Sequence, residues 1–291
     1  MTTPIQLDER GPMPSLSEHA AIELQRLRDE PSPACKICGA STHLFDVVDF
    51  ARTCSHPRHP TKLAAIPVYY LRCERCSFIF TTFCDSFTAR QWTAYVYNAE
   101  YYLTLDPDYA DVRPRGNCIA VDCLLSAHKD EVIGLDYGGG NGKTAALLRE
   151  VGYRYDTYDP FGVSLLTDGF VERYNFCSAF EVAEHSHDPV NFLGEIVRLA
   201  SKSKLAVLVG THVVDDISVA GLGLGWWYAA PRNGHISLYS KRSLQELARR
   251  FDLRCTTFSR TTHLFTRGYS SREAFRFLLL GKLRSRLRRL L

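Results

Sequence analysis

The sequence predicts an α/β fold, a parallel sheet with crossover helices behind a small module held by cysteines. Three observations predict it. Val132 to Asp136 is a short apolar run ending in an acid, then come Gly138, Gly139, Gly140 and Gly142, then a helical pattern from Lys143 to Glu150. Tyr153 to Asp159 and Phe176 to Phe180 read as two further strands of the same sheet. Ahead of them stand two Cys-x-x-Cys pairs, Cys35 with Cys38 and Cys73 with Cys76. A strand, a glycine turn and a helix in that order form a nucleotide site at the carboxyl end of a strand.

The glycine turn admits three readings. A phosphate-binding loop needs its first glycine at Tyr137, so that pattern fails by one position although Gly142-Lys143-Thr144 supplies its end. Gly140, Gly142 and Ala145 satisfy the short dinucleotide pattern, which is a weak match alone. Asp136, Gly138, Gly140 and Gly142 fit Asp-x-Gly-x-Gly-x-Gly, and here the segment resembles the class I S-adenosylmethionine-dependent methyltransferases. That ligand has no phosphate to seat. The glycines let the backbone pass close beneath it, and Asp136 suits its amino end. Asp159 lies about twenty residues past the glycines, where an acid can accept both ribose hydroxyls. Phe180-Glu181-Val182-Ala183-Glu184-His185 followed by Asp188-Pro189 resembles a signature of the same methyltransferases, without counterpart in dinucleotide enzymes. The resemblance implies a Rossmann-like, seven-stranded or reduced sheet that binds S-adenosylmethionine through Asp136, Gly138, Gly140, Gly142, Asp159, Phe180 and Glu181. Between Asp159 and Phe176 there is little room for a helix and a third strand, which points to a reduced edge.

Taken in order, residues 1–33 form a lead segment, loosely attached, with a helical pattern from Ser17 to Glu30 closed by Pro31 and Pro33. Residues 34–84 are the cysteine module. Each pair can offer two thiolates to one ion, and four around one ion make a closed tetrahedral zinc site with no position for substrate. The zinc is therefore expected to be structural, on Cys35, Cys38, Cys73 and Cys76. The 34-residue spacer implies an extruded hairpin, with Asp46 to Phe50 and Val68 to Arg72 as strands. Cys54, His56 and His59 are further donors inside it. A redox role for one pair is the rival reading, but the thioredoxin-like context it needs is missing.

Residues 85–131 are an aromatic linker and a pre-core helix, Gly116 to Ala127. Tyr97-Asn98-Ala99-Glu100-Tyr101-Tyr102 reads equally as helix packing and as a stretch resembling one that closes the cofactor site in bacterial glycan-pathway methyltransferases, which makes Tyr102 a cofactor candidate. Residues 132–267 are the core. Asp188 with Pro189 starts a helix that runs to Leu199, and Leu205 to Val209 is another strand. Gly221 to Tyr228 is an aromatic loop, and Ser243 with Glu246 reads as a capping box for a helix ending at Arg250. Leu253 to Phe258 and His263 to Thr266 close the sheet as a hairpin.

Residues 268–291 form a basic amphipathic helix. From 271 onward it carries seven Lys/Arg and one acid, +6, so the other residues sum to −3 within the net +3. Such a face suits an anionic membrane surface, or docking on the protein or a partner subunit. The acidic body argues against nucleic acid. Without a signal peptide or an apolar span the expected location is cytoplasmic, or peripheral at the inner membrane face. Ten cysteines in such a compartment indicate metal ligation or buried thiols, not disulfides.

Methyl transfer is a displacement in which positioning matters most, and a hydroxyl acceptor adds the need for a general base. His235 and His185 are the candidates, ahead of His187 and His212. The overall order resembles bacterial methyltransferases with an N-terminal zinc module, several of which act on sugar nucleotides or surface polysaccharides. The expected activity is O-methylation of a sugar, sugar nucleotide or glycan. The alternatives are an RNA base methyltransferase and a non-catalytic zinc-bearing partner that keeps the fold. The Tyr-His-Glu-His-like stretch of the sugar C-methyltransferases reads Arg232-Asn233-Gly234-His235 here, so their particular reaction is not carried over.

Overall fold

The computed structural model describes residues 13–54, 62–159, 172–201, 203–216, 223–270 and 273. The chain forms two compact units. One takes its described residues from Met1–Pro107, Glu184–His187 and Val213–Ser243, the other from Asp108–Ala183, Asp188–His212 and Leu244–Leu291. The first is called the cysteine unit below and the second the sheet unit. His56, His59, Gly221 and Leu222, and residues 271–291 apart from Glu273, lie outside the described residues. Residues 268–270, expected in the C-terminal helix, are not helical because Gly268 takes a left-handed φ of +73°.

The cysteine unit begins with α1 (Leu16–Asp29), whose N-cap Ser15 forms a capping box with Glu18. This lead helix is packed, not loose. Ala20 enters the unit's core, and the buried Glu23 carboxylate takes Arg26 and the Thr82 hydroxyl. The expected hairpin is present as β1 (Thr42–Asp49) and β2 (Pro67–Cys73), antiparallel, with a register shift between Leu44 and Asp46. Next come β3 (Ile79–Phe80) and α2 (Ala89–Tyr95). The aromatic stretch is not one helix, because α2 is capped at Val96 and a single π-helical turn follows at Tyr101–Leu105.

The sheet unit holds α3 (Val112–Leu125), β4 (Ile133–Tyr137), α4 (Lys143–Glu150), β5 (Arg154–Tyr158), β6 (Phe176–Phe180), α5 (Pro189–Leu199) and β7 (Leu205–Gly210). After these the chain supplies β8 (Ser237–Leu238) to the cysteine unit. It then forms α6 (Lys241–Arg249), β9 (Arg254–Thr257) and β10 (Thr262–Arg267).

Two sheets result, ordered β1-β2-β3-β8 and β5-β4-β6-β7-β10-β9. In the second, β5, β4, β6 and β7 run parallel, and β10 pairs antiparallel with both β7 and β9. Six strands among the described residues make the reduced Rossmann-like sheet, with β5 at its edge and residues 160–171 outside the described set. Its core joins Val121 and Leu124 of α3 and Ala145 and Leu148 of α4 to Tyr155, Phe176, Leu208 and Leu264 of the strands. The cysteine unit's core joins Val68, Tyr70, Phe83 and Trp92 to Trp226, Tyr228, Ile236 and Leu238.

One cap differs from the sequence reading. The α6 box is Ser240 with Ser243, each hydroxyl accepting the other's backbone N–H at 2.9 Å. Glu246 instead pairs with Arg249. A serine three residues upstream wins because its hydroxyl also donates to the Cys76 carbonyl at 2.6 Å. Ser240→Ala is therefore expected to lower stability by about 1–2 kcal/mol in denaturant titration, and Glu246→Ala to stay within about 0.5 kcal/mol. Equal effects at the two positions would contradict this assignment.

Candidate functional site

In the sheet unit the glycine loop leaves β4 and folds onto the end of β5. Gly138 and Gly139 donate their N–H groups to the Tyr158 carbonyl at 2.7 and 3.2 Å, and Gly140 N–H reaches Asp159 Oδ2 at 2.8 Å. Gly138, Gly140 and Gly142 have φ of +71°, +54° and +75°, the left-handed region that only glycine enters without strain. A Cβ on Gly140 would lie 2.2 Å from the Tyr109 hydroxyl. Tyr109, to which the sequence reading gave no role, covers the loop there. The signal was a tyrosine beside Asp106-Pro107-Asp108, too common a pattern to act on.

Beneath the loop lies a polar row. Asp136 of β4 stands in register with Thr157 of β5 and Ser178 of β6. Asp136 is buried and accepts the Ser178 hydroxyl at 2.6 Å, and Ser178 in turn accepts that of Tyr155 at 3.0 Å. Burial pushes the Asp136 carboxyl up to about 6, opposed by hydrogen bonds from Ser178 and Thr144, with the charge of Asp159 raising it further. The Thr157 hydroxyl is buried with no hydrogen-bond partner, and a Cβ on Gly139 would come within 2.4 Å of it. This end of the sheet thus offers a glycine-rich loop with Asn141 its one side chain, two carboxylates and a buried hydroxyl, which fits a ligand bearing an amino group and a ribose.

Of the other cofactor candidates, Phe180 ends β6, and a Cβ on Gly210 would lie 2.7 Å from its ring. Glu181 has φ of +53° and donates its N–H to the Gly210 carbonyl at 2.9 Å. A non-glycine residue held there is strained, as residues at ligand sites often are. Tyr102 belongs to the cysteine unit, 39% exposed and edge-on to Tyr101.

The cysteine unit brings the two candidate bases together. The rings of His185 and His235 lie edge to face with centroids 4.9 Å apart. His185 follows Glu184 in the short turn Ala183–His185, and its Nδ1 lies 3.2 Å from the Tyr97 hydroxyl. Gly234 has φ of +83°, and a Cβ there would lie 2.9 Å from His185 Nδ1, so this glycine admits the ring. His235 Nδ1 lies 2.8 Å from the Tyr228 carbonyl. A carbonyl only accepts, so Nδ1 carries the proton and the lone pair of the neutral ring is on Nε2. Arg232 is committed elsewhere in the unit, to Val96 O, Asn98 and Glu100 at 2.8–3.0 Å. Burial, with Arg260 nearby, holds His212 below its ordinary value.

The four cysteines converge. Their sulfurs lie within 4.8 Å of one another, with Cys35 to Cys76 at 3.6 Å and Cys38 to Cys73 at 3.5 Å. Sulfurs about 2.3 Å from one tetrahedral ion stand about 3.8 Å apart, so the set fits a metal ion. The turns expected at the pairs are present. Gly39 (φ +69°) donates its N–H to Cys35 O, and Ser77 (φ +58°) does the same to Cys73 O. Cys35 is drawn down to about 5, first by the Cys76 thiol, against burial and with help from the Cys38 and Ile37 amides. Cys54 stands apart from this set, its sulfur 3.6 Å from His235 Nδ1.

A family model described as a methyltransferase domain matches residues 109–257. Among solved structures the chain is similar to magnesium protoporphyrin IX methyltransferase from Synechocystis PCC 6803 with bound SAH, at 12% identity, covering 56% of this chain and 86% of that chain, TM-score 0.39. It is also similar to a possible histamine N-methyltransferase from Thermotoga maritima, at 14% identity, covering 58% and 93%, TM-score 0.35. The mitomycin 7-O-methyltransferase MmcR gives 13% identity, 63% and 62% coverage and a TM-score of 0.42. None of the curated proteins matches.

The buried Asp136 yields a test with a defined sign. A carboxyl raised from 3.8 to about 6 binds its proton more tightly when folded. Its contribution to stability is present below the unfolded value and is lost as pH rises through about 6. Asp136→Asn should therefore be more stable than wild type at pH 7.5, by up to about 3 kcal/mol, and the gap should close by pH 4 in thermal denaturation. Calorimetry should show weakened binding of S-adenosylhomocysteine. A gap independent of pH would show that the carboxylate is not desolvated.

Proposed function

We propose that this chain, which belongs to the S-adenosylmethionine-dependent methyltransferase family, methylates a hydroxyl of a sugar, a sugar nucleotide or a surface glycan. S-adenosylmethionine supplies an electrophilic methyl group on a sulfonium when bound. Asp136, Asp159 and the loop glycines Gly138, Gly140 and Gly142 hold it, with Phe180, Glu181 and Tyr102 as further contacts. The observation that carries a hydroxyl acceptor is the tautomer of His235. Its Nδ1–H is held by the Tyr228 carbonyl, which directs Nε2 to proton abstraction. His185 is the second base candidate. A glycan acceptor is supported by the resemblance to bacterial methyltransferases that carry four cysteines ahead of this domain.

The cysteine site is proposed to hold one structural zinc on Cys35, Cys38, Cys73 and Cys76. Zinc there supplies folding energy to a unit with a short sheet, and four thiolates leave it no open position. Among the described residues no helix is long and apolar enough to cross a membrane. The basic segment 271–291 is proposed as a contact for anionic lipid headgroups, from its seven cations and spaced leucines.

Two experiments test this reading. Elemental analysis should find one zinc per chain, and Cys73→Ser should lose it together with several degrees of melting temperature. Purified protein free of metal would remove the zinc. Transfer of labelled methyl from S-adenosylmethionine across pools of sugar nucleotides, glycans and RNA should label a sugar oxygen. His235→Gln should then slow turnover by about 10²–10⁴-fold with cofactor affinity kept. Label appearing in RNA alone would overturn the acceptor class.

A further inference from the structure

The cysteine unit holds a carboxylate to which neither the cofactor nor the zinc gives work. Glu184 is 0% exposed, and one of its carboxylate oxygens lies within 4.8 Å of one ring nitrogen each of His185 and His235. We propose that Glu184 is a positioning residue, the buried counter-charge that lets the His185–His235 pair hold the proton taken from the acceptor, with Tyr228 as the link. This rests on the hydroxyl-acceptor reading above.

Tyr228 joins the carboxylate and the base through two atoms. Its hydroxyl donates to Glu184 Oε1, and its carbonyl accepts His235 Nδ1–H at 2.8 Å. Its ring lies 4.1 Å from the His235 ring, which fixes the plane of the imidazole. The backbone repeats the connection. Ile236 N–H donates to Glu184 O at 3.0 Å, and the Tyr70 hydroxyl donates to His235 O at 2.7 Å. Glu184 and His235 therefore cannot drift apart without breaking both main-chain and side-chain bonds.

Charge gives the arrangement its purpose. A carboxylate removed from water is strongly unfavourable unless a positive charge lies beside it. The nearby guanidinium of Arg232 is bonded to Val96, Asn98 and Glu100. Among the described residues Tyr97, Tyr70, Tyr228 and Cys54, all neutral when protonated, face the histidines. Arg52, which acts on Tyr70 and Cys54, gives its guanidinium to the Leu224 and Trp226 carbonyls. An imidazolium is then the natural partner for Glu184. In the reaction the acceptor O–H bond breaks as its oxygen bonds the methyl carbon, and the proton goes to His235 Nε2. The electron pair of the broken C–S bond stays on sulfur. The new imidazolium arises a few ångströms from Glu184, where attraction is strong because water is excluded. Release of that proton to solvent resets the base.

The test reads the histidines themselves and needs no acceptor. Full-length protein labelled with 13C at histidine Cε1 is titrated by NMR, with His185→Gln and His235→Gln assigning the two signals. Glu184→Gln should move the midpoint of the pair to lower pH by about one to three units. Tyr228→Phe, which keeps the charge and loses the hydroxyl, should move it less and in the same direction. Midpoints within a few tenths of wild type in both variants would overturn the proposal, and Tyr228→Phe decides it should Glu184→Gln fail to fold. Titration with Co2+ supplies a further check. A second equivalent, without a thiolate charge-transfer band and lost in Glu184→Gln, would make the three side chains metal ligands and overturn the counter-charge. A shifted midpoint with no methyl transfer to any sugar would keep the coupling and refute only the acceptor class.

Discussion

The cysteine unit depends on the pairing of Ser237–Leu238 with Ile79–Phe80. Two residues on each side suffice because both strands are fully buried and neighbouring bonds extend the contact. Thr81 N–H reaches Ile236 O at 3.0 Å and continues the ladder, while a separate bond from Val214 N–H to Tyr239 O at 2.9 Å ties the next residue to another segment. Through this pairing a late stretch of chain becomes part of the unit that begins with the cysteines. Ser240 then bonds the Cys76 carbonyl, so the second cysteine turn and the segment bearing His235 brace each other.

The sheet unit solves a different problem, how to keep a carboxylate at the end of a buried strand. Asp136 is matched across the strands by Thr157 and Ser178, and the hydroxyls of Ser178 and Tyr155 form a chain behind it. The arrangement is not fully compensated, as the raised carboxyl shows. A cationic amino group would supply the missing charge, so affinity for such a ligand and instability without it have one origin. The loop above is set by the same neighbours, since Tyr158 and Asp159 at the end of β5 hold Gly138, Gly139 and Gly140.

In the sheet unit polar groups gather around the loop after β4, and in the cysteine unit Glu184, His185 and His235 form a second group. In the chain only Glu181, Val182 and Ala183 separate the end of β6 from Glu184. That short stretch includes the strained Glu181, so a backbone constraint stands at the passage from one unit to the other.

The sequence by itself determined the local devices. The helix from Lys143 to Glu150, the Asp188–Pro189 start, the hairpin of the spacer and the left-handed glycines all follow from residues close together in the chain. So did the tight turn at each cysteine pair, while the meeting of the two pairs, 35 to 41 residues apart, needed the β1–β2 hairpin. Tertiary structure alone decided that residues 184–187 and 213–243 join the cysteine unit, that Tyr109 covers Gly140, and that Glu184 stands beside both histidines. It also placed the α6 cap at Ser240, where a bond to the remote Cys76 carbonyl outweighs the local Ser-x-x-Glu pattern. The reason is physical. A two-residue strand has no periodicity to read, and a buried carboxylate declares its partners only when segments far apart in the chain exclude water together.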